Sequence, residues 1–185
     1  MELGQRFMIG GEAEFEELIA LYGEKLLRYA TSILYSHQDA EDVVQDAFLS
    51  AYQRRASFDG TNLSAWLYKI TYNYSLNILK ERKRRKVLFF GDMKQEPAYT
   101  ENFSDLPEIM EALKPLKPQE RALLYGRVMD RHSYEELSVI LGLSPANLRK
   151  QYERVKKKAA MYLEDYDKNY YIPQDVQNER RCEYK

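Results

Sequence analysis

Residues 61–86 read TNLSAWLYKITYNYSLNILKERKRRK. Trp66, Ile70, Asn73 and Asn77 are spaced by four, three and four residues, so on a helix they share one stripe. Leu67, Ile70, Tyr74 and Ile78 form an adjoining apolar stripe. Lys80 to Lys86 then sets six cations in seven residues. Flat rings stack on unpaired bases, carboxamides pair with base edges, and Lys or Arg neutralises phosphate. These types at this spacing suit a helix that holds opened nucleic acid. The cations alone carry no such message, because a helix C-terminus attracts positive charge through its macrodipole.

The flanking segments must position that helix, and they predict an all-α fold of two small helical domains. Residues 14–34 place Phe15, Leu18, Ile19, Tyr22, Leu26, Tyr29, Ala30 and Ile33 at steps of three and four, an amphipathic helix. Ser36-His37-Gln38-Asp39 breaks the pattern and offers Asp39 as the next N-cap, paired with Asp42. A helix over 40–52 then turns Val43, Val44, Ala47, Phe48 and Ala51 inward. Glu41, Asp42, Gln45 and Asp46 stay outside as an acidic face, which periodicity alone leaves as a solvated surface. Phe58-Asp59-Gly60 is turn chemistry, and Ser64 is placed to cap the central helix. The first domain spans 12–86.

Residues 87–105 lose periodicity, hold Gly91, Pro97 and Asn102, and predict a linker. Fully extended, about twenty residues reach about 65 Å, nearly two turns of DNA at about 34 Å each. The second domain, 106–163, starts with a short helix ended by Pro115 and Pro118, then a helix over 119–129 with Ala122, Leu123, Tyr125 and Val128 as core. Ser133-Tyr134-Glu135-Glu136 is a complete S-x-x-E capping box. Leu137, Ile140 and Leu141 follow, Gly142 and Leu143 turn the chain, and Ser144 with Pro145 opens another helix. That helix keeps Leu148, Tyr152, Val155, Ala159 and Tyr162 or Leu163 inward and presents Asn147, Arg149, Lys150, Gln151, Arg154 and Lys157. A short helix, a Gly-containing turn and a longer basic helix make a helix-turn-helix, whose second helix suits a major groove. Residues 164–185 form a polar, Tyr-rich tail.

The chain has 185 residues, 44% hydrophobic and 31% charged, the balance of a soluble globular protein. No apolar run approaches the ~20 residues of a membrane span, and residues 1–11 lack a signal-peptide pattern. Cys182 is the single cysteine, which excludes an internal disulfide framework and fits a cytoplasmic location. With His37 and His132 far apart, no metal or cofactor is expected. The net charge of −1 conceals basic blocks at 80–86 and 149–158 and an acidic stretch over 92–111.

Four strings carry a resemblance: DAEDVVQDAFLSAY at 39–52, AWLYKITYNYSLNILKERKRRK at 65–86, LKPLKPQERALLYGRV at 113–128, and SYEELSVILGLSPANLRKQYERVKKKAAMYL at 133–163. In this order they resemble the sigma factors of bacterial RNA polymerase, the sigma-70 family, in its small extracytoplasmic-function (ECF) type with regions two and four. The resemblance covers about 12–163 and implies a factor that directs core polymerase to promoters and promotes melting, with no catalysis of its own. It implies a clamp contact on the beta-prime subunit through Asp42, Gln45, Asp46 and Leu49, with further contact to the beta subunit. It implies that Asp59, Gly60, Thr61, Asn62, Ser64, Trp66 and Asn73 hold a flipped base of the minus-ten element, with Asn77, Lys80 and Arg84 along the same DNA. Ser144, Asn147, Arg149, Lys150, Gln151 and Arg154 would read the minus-thirty-five element. The linker would pass through the channel later used by RNA. An anti-sigma factor is an expected partner. Members often carry Asp at the place of Asn77, Arg at Lys80, and T-V-K-x-R where this chain has Asn147-Leu148-Arg149-Lys150-Gln151, so the promoter sequence does not follow from the resemblance.

Three rivals stay in view. A duplex-binding regulator explains the helix-turn-helix but gives the Trp66 helix and the acidic face no task. An RNA-binding adaptor is separated by fork-junction DNA against RNA. An enzyme lacks a phosphate loop, a nucleophile–base pair and a metal set.

Overall fold

The computed structural model describes residues 3–90 and 107–170, and the described residues are helical with no strand. In order they are α1 (Leu3–Ile9), α2 (Glu12–Leu34), α3 (His37–Arg54), a 3-10 turn (Arg55–Ser57), α4 (Leu63–Phe90), α5 (Pro107–Leu113), α6 (Pro118–Val128), α7 (Tyr134–Leu141) and α8 (Pro145–Tyr170). No described helix is long and apolar enough to cross a membrane.

Helix α2 starts where Glu14 reaches back to the Gly11 N–H (2.9 Å) and ends at Tyr35, whose left-handed φ of 51° turns the chain. It does not turn Ile19 inward as its periodicity predicts: that side chain is 42% exposed. Helix α3 begins three residues before the predicted start. Ser36, not Asp39, is its N-cap, and the Ser36 Oγ accepts from the Asp39 N–H (3.3 Å). Asp39 is thereby free to pair with Arg82 on α4, which also donates to the Leu34 carbonyl at 3.1 Å. Val43, Val44, Ala47, Phe48 and Ala51 are buried as predicted.

Ser64 does not cap α4. The cap is Asn62, whose Oδ1 accepts the Ala65 N–H at 2.9 Å, because a residue outside the helix is needed to reach that donor. Along α4 the inward positions are Leu67, Tyr68, Thr71, Tyr72 and Ser75. The two buried hydroxyls bond back to carbonyls of the preceding turn, Thr71 to Leu67 (3.0 Å) and Ser75 to Thr71 (2.9 Å), so neither is left unsatisfied. The helix continues to Phe90, four residues into the predicted linker, and residues 91–106 lie outside the described residues.

The second half begins with α5. Helix α6 starts at Pro118, with the Glu120 carboxylate accepting the Lys117 N–H at 2.8 Å. Val128, expected in the core, is 45% exposed because it closes the helix on its outer side. Helix α8 runs on to Tyr170, into the stretch expected to be an aperiodic tail, while 171–185 with Cys182 lie outside the described residues.

The halves are not separate bodies. Helices α6 and α7 pack on α2 and α4, and one hydrophobic core joins Leu26, Tyr29 and Tyr68 to Leu123, Tyr125 and Leu137. Gly126 of α6 lies in this core, where a methyl group would stand 3.2 Å from Leu137 and 3.6 Å from His132 of its own half and 3.8 Å from the Tyr29 ring of α2. Leu123 has no solvent exposure in this core. Leu123→Ala should therefore destabilise the chain by ~2–5 kcal/mol, seen as a lower urea midpoint.

Candidate nucleic-acid interface

Three surfaces carry the predicted residues. The first is the loop before α4 and the outer ridge of α4. Asp59 Oδ1 accepts from the Thr61 N–H (2.9 Å) and the Thr61 hydroxyl (2.8 Å), and these bonds, the backbone one first, hold its carboxyl below the ordinary range. Gly60 has a φ of 79°, a conformation glycine adopts without strain. Thr61 and Asn62 are exposed. Ser64 is half-buried and hydrogen-bonds the hydroxyl of Tyr22 on α2, so it serves the loop's base more than its rim. Burial raises the pKa of Tyr22 more than this hydrogen bond lowers it. Trp66 is half-buried with its ring 5.0 Å from that of Phe58, which is itself buried under the loop.

From there α4 presents Asn73, Asn77, Lys80 and Arg84, all exposed at steps of four, three and four. Lys69, one turn earlier, is also exposed and extends the same ridge. The sequence signal for it was its spacing of four from Asn73. Among the described residues the Asn73 and Asn77 carboxamides make no hydrogen bond, so their donors and acceptors face water. The structure thus brings the loop, the tryptophan and the amide-cation ridge into one continuous surface.

The second surface is the helix-turn-helix. Ser133 Oγ accepts the Glu136 N–H at 3.1 Å, and Glu136 accepts the Ser133 N–H at 2.8 Å, completing the capping box. Gly142 ends α7 with a φ of 70°. Ser144 caps α8 by accepting the Asn147 N–H at 3.4 Å, and buried Leu148 anchors it. Asn147, Arg149, Lys150 and Arg154 are exposed and Gln151 is half-exposed. Some are already engaged: Gln151 donates to Asn147 (3.3 Å), and Arg149 pairs with Glu135 (3.2 Å) over the Tyr134 ring. An exposed pair of this kind is worth little, so Arg149 can leave it for a base or a phosphate.

The third surface is on α3, where Asp42, Gln45, Asp46 and Leu49 are exposed at steps of three, one and three, one helical stripe. Leu49, 54% exposed, stands at the edge of an apolar groove of about 490 Å³ between α2 and α3, lined also by Phe15, Leu27, Val44 and Phe48.

Comparison with known proteins decides the family. Residues 18–85 match Sigma-70 region 2, and residues 106–158 match Sigma-70 region 4. The chain belongs to the sigma-70 family. It is of the ECF type. It is 25% identical over 157 residues to the ECF RNA polymerase sigma factor SigE of Mycolicibacterium smegmatis, covering 80% of this chain and 61% of that one. The RNA polymerase sigma-H factor of Pseudomonas aeruginosa is 31% identical over 128 residues, 69% of this chain and 62% of that one. The chain thus spans less than two thirds of the length of these two relatives. It spans more of the RNA polymerase sigma factor YlaC of Bacillus subtilis, 87%, at 28% identity over 154 residues and 76% of this chain. Among solved structures, the sigma factor RpoE in complex with the anti-sigma factor NepR from Bartonella quintana superposes with a TM-score of 0.70 at 26% identity, over 83% of this chain and 98% of that one. The region-2 match falls on α2–α4, which hold the loop, ridge and acidic stripe, and the region-4 match falls on the helix-turn-helix.

Proposed function

We propose that this sigma-70 family chain directs core RNA polymerase to specific promoters and helps open them, leaving bond-making to the polymerase. The observation that carries this reading is the surface that runs from the Asp59–Thr61 turn past half-buried Trp66 to exposed Asn73, Asn77, Lys80 and Arg84. Melting on such a surface is differential binding. Stacking contributes ~1–3 kcal/mol per base, against a few kcal/mol lost in flipping one base. Capture of one or two bases thus biases an opened strand but needs polymerase contacts to complete it.

The roles divide as follows. Residues 12–86 act as region two, with Asp42, Gln45, Asp46 and Leu49 on the polymerase clamp. Residues 106–163 act as region four, with α8 in the major groove of the minus-thirty-five element. The chain works in the cytoplasm, without a cofactor and without enzymatic activity. An anti-sigma partner is supported by RpoE, which was solved with NepR.

Run-off transcription with purified core enzyme across a promoter library tests the whole. Starts at a defined subset of promoters are expected, and no starts anywhere would overturn the function. Arg149→Ala or Gln151→Ala should change the ranking of upstream elements in that library, by about 1–3 kcal/mol at a base each contacts. Uniform weakening of all promoters would assign these side chains to phosphate.

A further inference from the structure

Helix α1 lies outside the stretch that matches region 2, which starts at residue 18, and the proposed function gives it no task. It is fixed to the body of the chain at three points. Phe7 is buried, the Arg6 guanidinium donates to the Glu17 carboxylate of α2 at 2.9 Å, and the Gly10 N–H donates to the Arg6 carbonyl at 2.7 Å. The turn at Gly10 admits no side chain, since a methyl there would stand 2.6 Å from that same carbonyl oxygen.

What α1 touches from this anchorage is the loop before α4. A methyl group on Gly4 would stand 3.2 Å from Cε1 of Phe58 and 3.5 Å from Leu63 Cβ, so the bare backbone of α1 meets the two buried residues on which the loop rests. One turn on, Met8 Sδ lies 3.4 Å from where a methyl on Gly60 would be. Gly4 and Met8 are four residues apart and share one face of the helix. Gly60, at a φ of 79°, is a place where a side chain would be strained, so the loop has none of its own to fill this space. The partly buried Met8 thioether fills it, a flexible group suited to irregular gaps. Phe58 in turn carries the Trp66 ring at 5.0 Å. The Asp59–Thr61 turn is shaped by the two hydrogen bonds from Thr61 to Asp59, which do not hold it against the fold.

We propose that α1 is a brace for the base-capture loop, with Gly4 and Met8 as its positioning residues. It backs Phe58 and Gly60, and through Phe58 it keeps Trp66 at a set distance from the Asp59–Thr61 turn. Gly4 and Met8 act through the loop and not on nucleic acid. A binding constellation works when held within about 0.5 Å of its productive geometry, and a loop without backing spreads over arrangements that capture a base poorly. The purpose of the brace rests on the proposed function, whereas its mechanical part belongs to the free chain.

Trp66 is the one tryptophan of the chain, so its emission reads this site without a label. In the full chain, Gly4→Leu should lift α1 from the buried Phe58 ring, shifting Trp66 emission to the red and raising its quenching by acrylamide. Met8→Ala should empty the space against Gly60 and lower open-complex formation with core polymerase about tenfold, the loss of one base contact. Polymerase affinity by anisotropy and helicity by circular dichroism should stay at parent values in both variants. Met8→Leu, a swap that keeps the volume, should return open-complex formation to the parent level. If Gly4→Leu loses helicity, Gly4→Ala makes the same push with one methyl and is read in the same way. Parent-like Trp66 emission in the folded Gly4 variant together with parent-like opening in Met8→Ala would overturn the brace. So would a fall in polymerase affinity equal to the fall in opening. A chain whose Trp66 responds as described but that opens no promoter would refute the promoter function and leave the brace standing.

Discussion

Asn73→Ala should lower open-complex formation about tenfold or more while leaving affinity for core polymerase unchanged. Asn73 is exposed on the outer ridge of α4 and makes no hydrogen bond among the described residues, so truncation removes nothing the fold uses. A well-placed carboxamide–base contact is worth ~1–3 kcal/mol, and every 1.4 kcal/mol is about tenfold in an equilibrium. Permanganate reactivity of unpaired thymines reads the opened strand, and fluorescence anisotropy with labelled chain reads polymerase binding. The expected pattern is a loss in the first without the second. Asn73→Asp should be worse than Asn73→Ala, because it removes the donor and adds a negative charge beside phosphates. Trp66 makes a poorer probe, since its ring packs on Phe58 and its loss would loosen the loop's support. Equal losses in melting and in polymerase binding for Asn73→Ala would remove that residue from the strand-capture surface.

Reversing the acidic stripe should have the larger effect on assembly. In Asp42→Lys/Asp46→Lys both changes fall on exposed positions of α3 with no ion pair among the described residues, so the fold has little to lose. Like charges brought together at an interface cost several kcal/mol, which corresponds to a weakening of polymerase binding by about a hundredfold or more. Anisotropy against core enzyme measures it, and circular dichroism confirms that α3 survives. Parent affinity should also fall with added salt, as screening shortens the reach of exposed charge. Undiminished affinity of the double variant would take the clamp away from α3.

Much of this was legible because it is local. The capping box at Ser133–Glu136, the left-handed Gly142 and the Ser144-Pro145 start of α8 each follow from side chains three or four residues apart. The amide-cation ridge of α4 is likewise a matter of spacing within one helix. Ends were harder. Asp39 looked like a cap because acids favour helix starts, yet Ser36 reaches the orphan N–H and Asp39 is engaged by Arg82 from forty-three positions away. Helices α4 and α8 outrun their periodic stretches, since a helix already formed adds residues more easily than a new one nucleates. Helix α1, seven residues long, has no stripe to announce it, and its buried Phe7 packs into the core. The contact between the halves was invisible for a different reason. A tyrosine on the inner face of α2 or α4 looks like core of its own half, and nothing in its neighbours along the chain tells that Tyr29 and Tyr68 meet Tyr125, Asp130 and His132.

The close passage at Gly126 has a consequence of its own. The nearest neighbours of an added methyl, Leu137 at 3.2 Å and His132 at 3.6 Å, belong to the second half, and the Tyr29 ring of α2 at 3.8 Å stands at ordinary contact distance, so the methyl would press on the joint between α6 and α7. The spacing of α6 from α7 is set there by a carbon atom that is missing, and Gly126→Ala would thicken that joint by one methyl group.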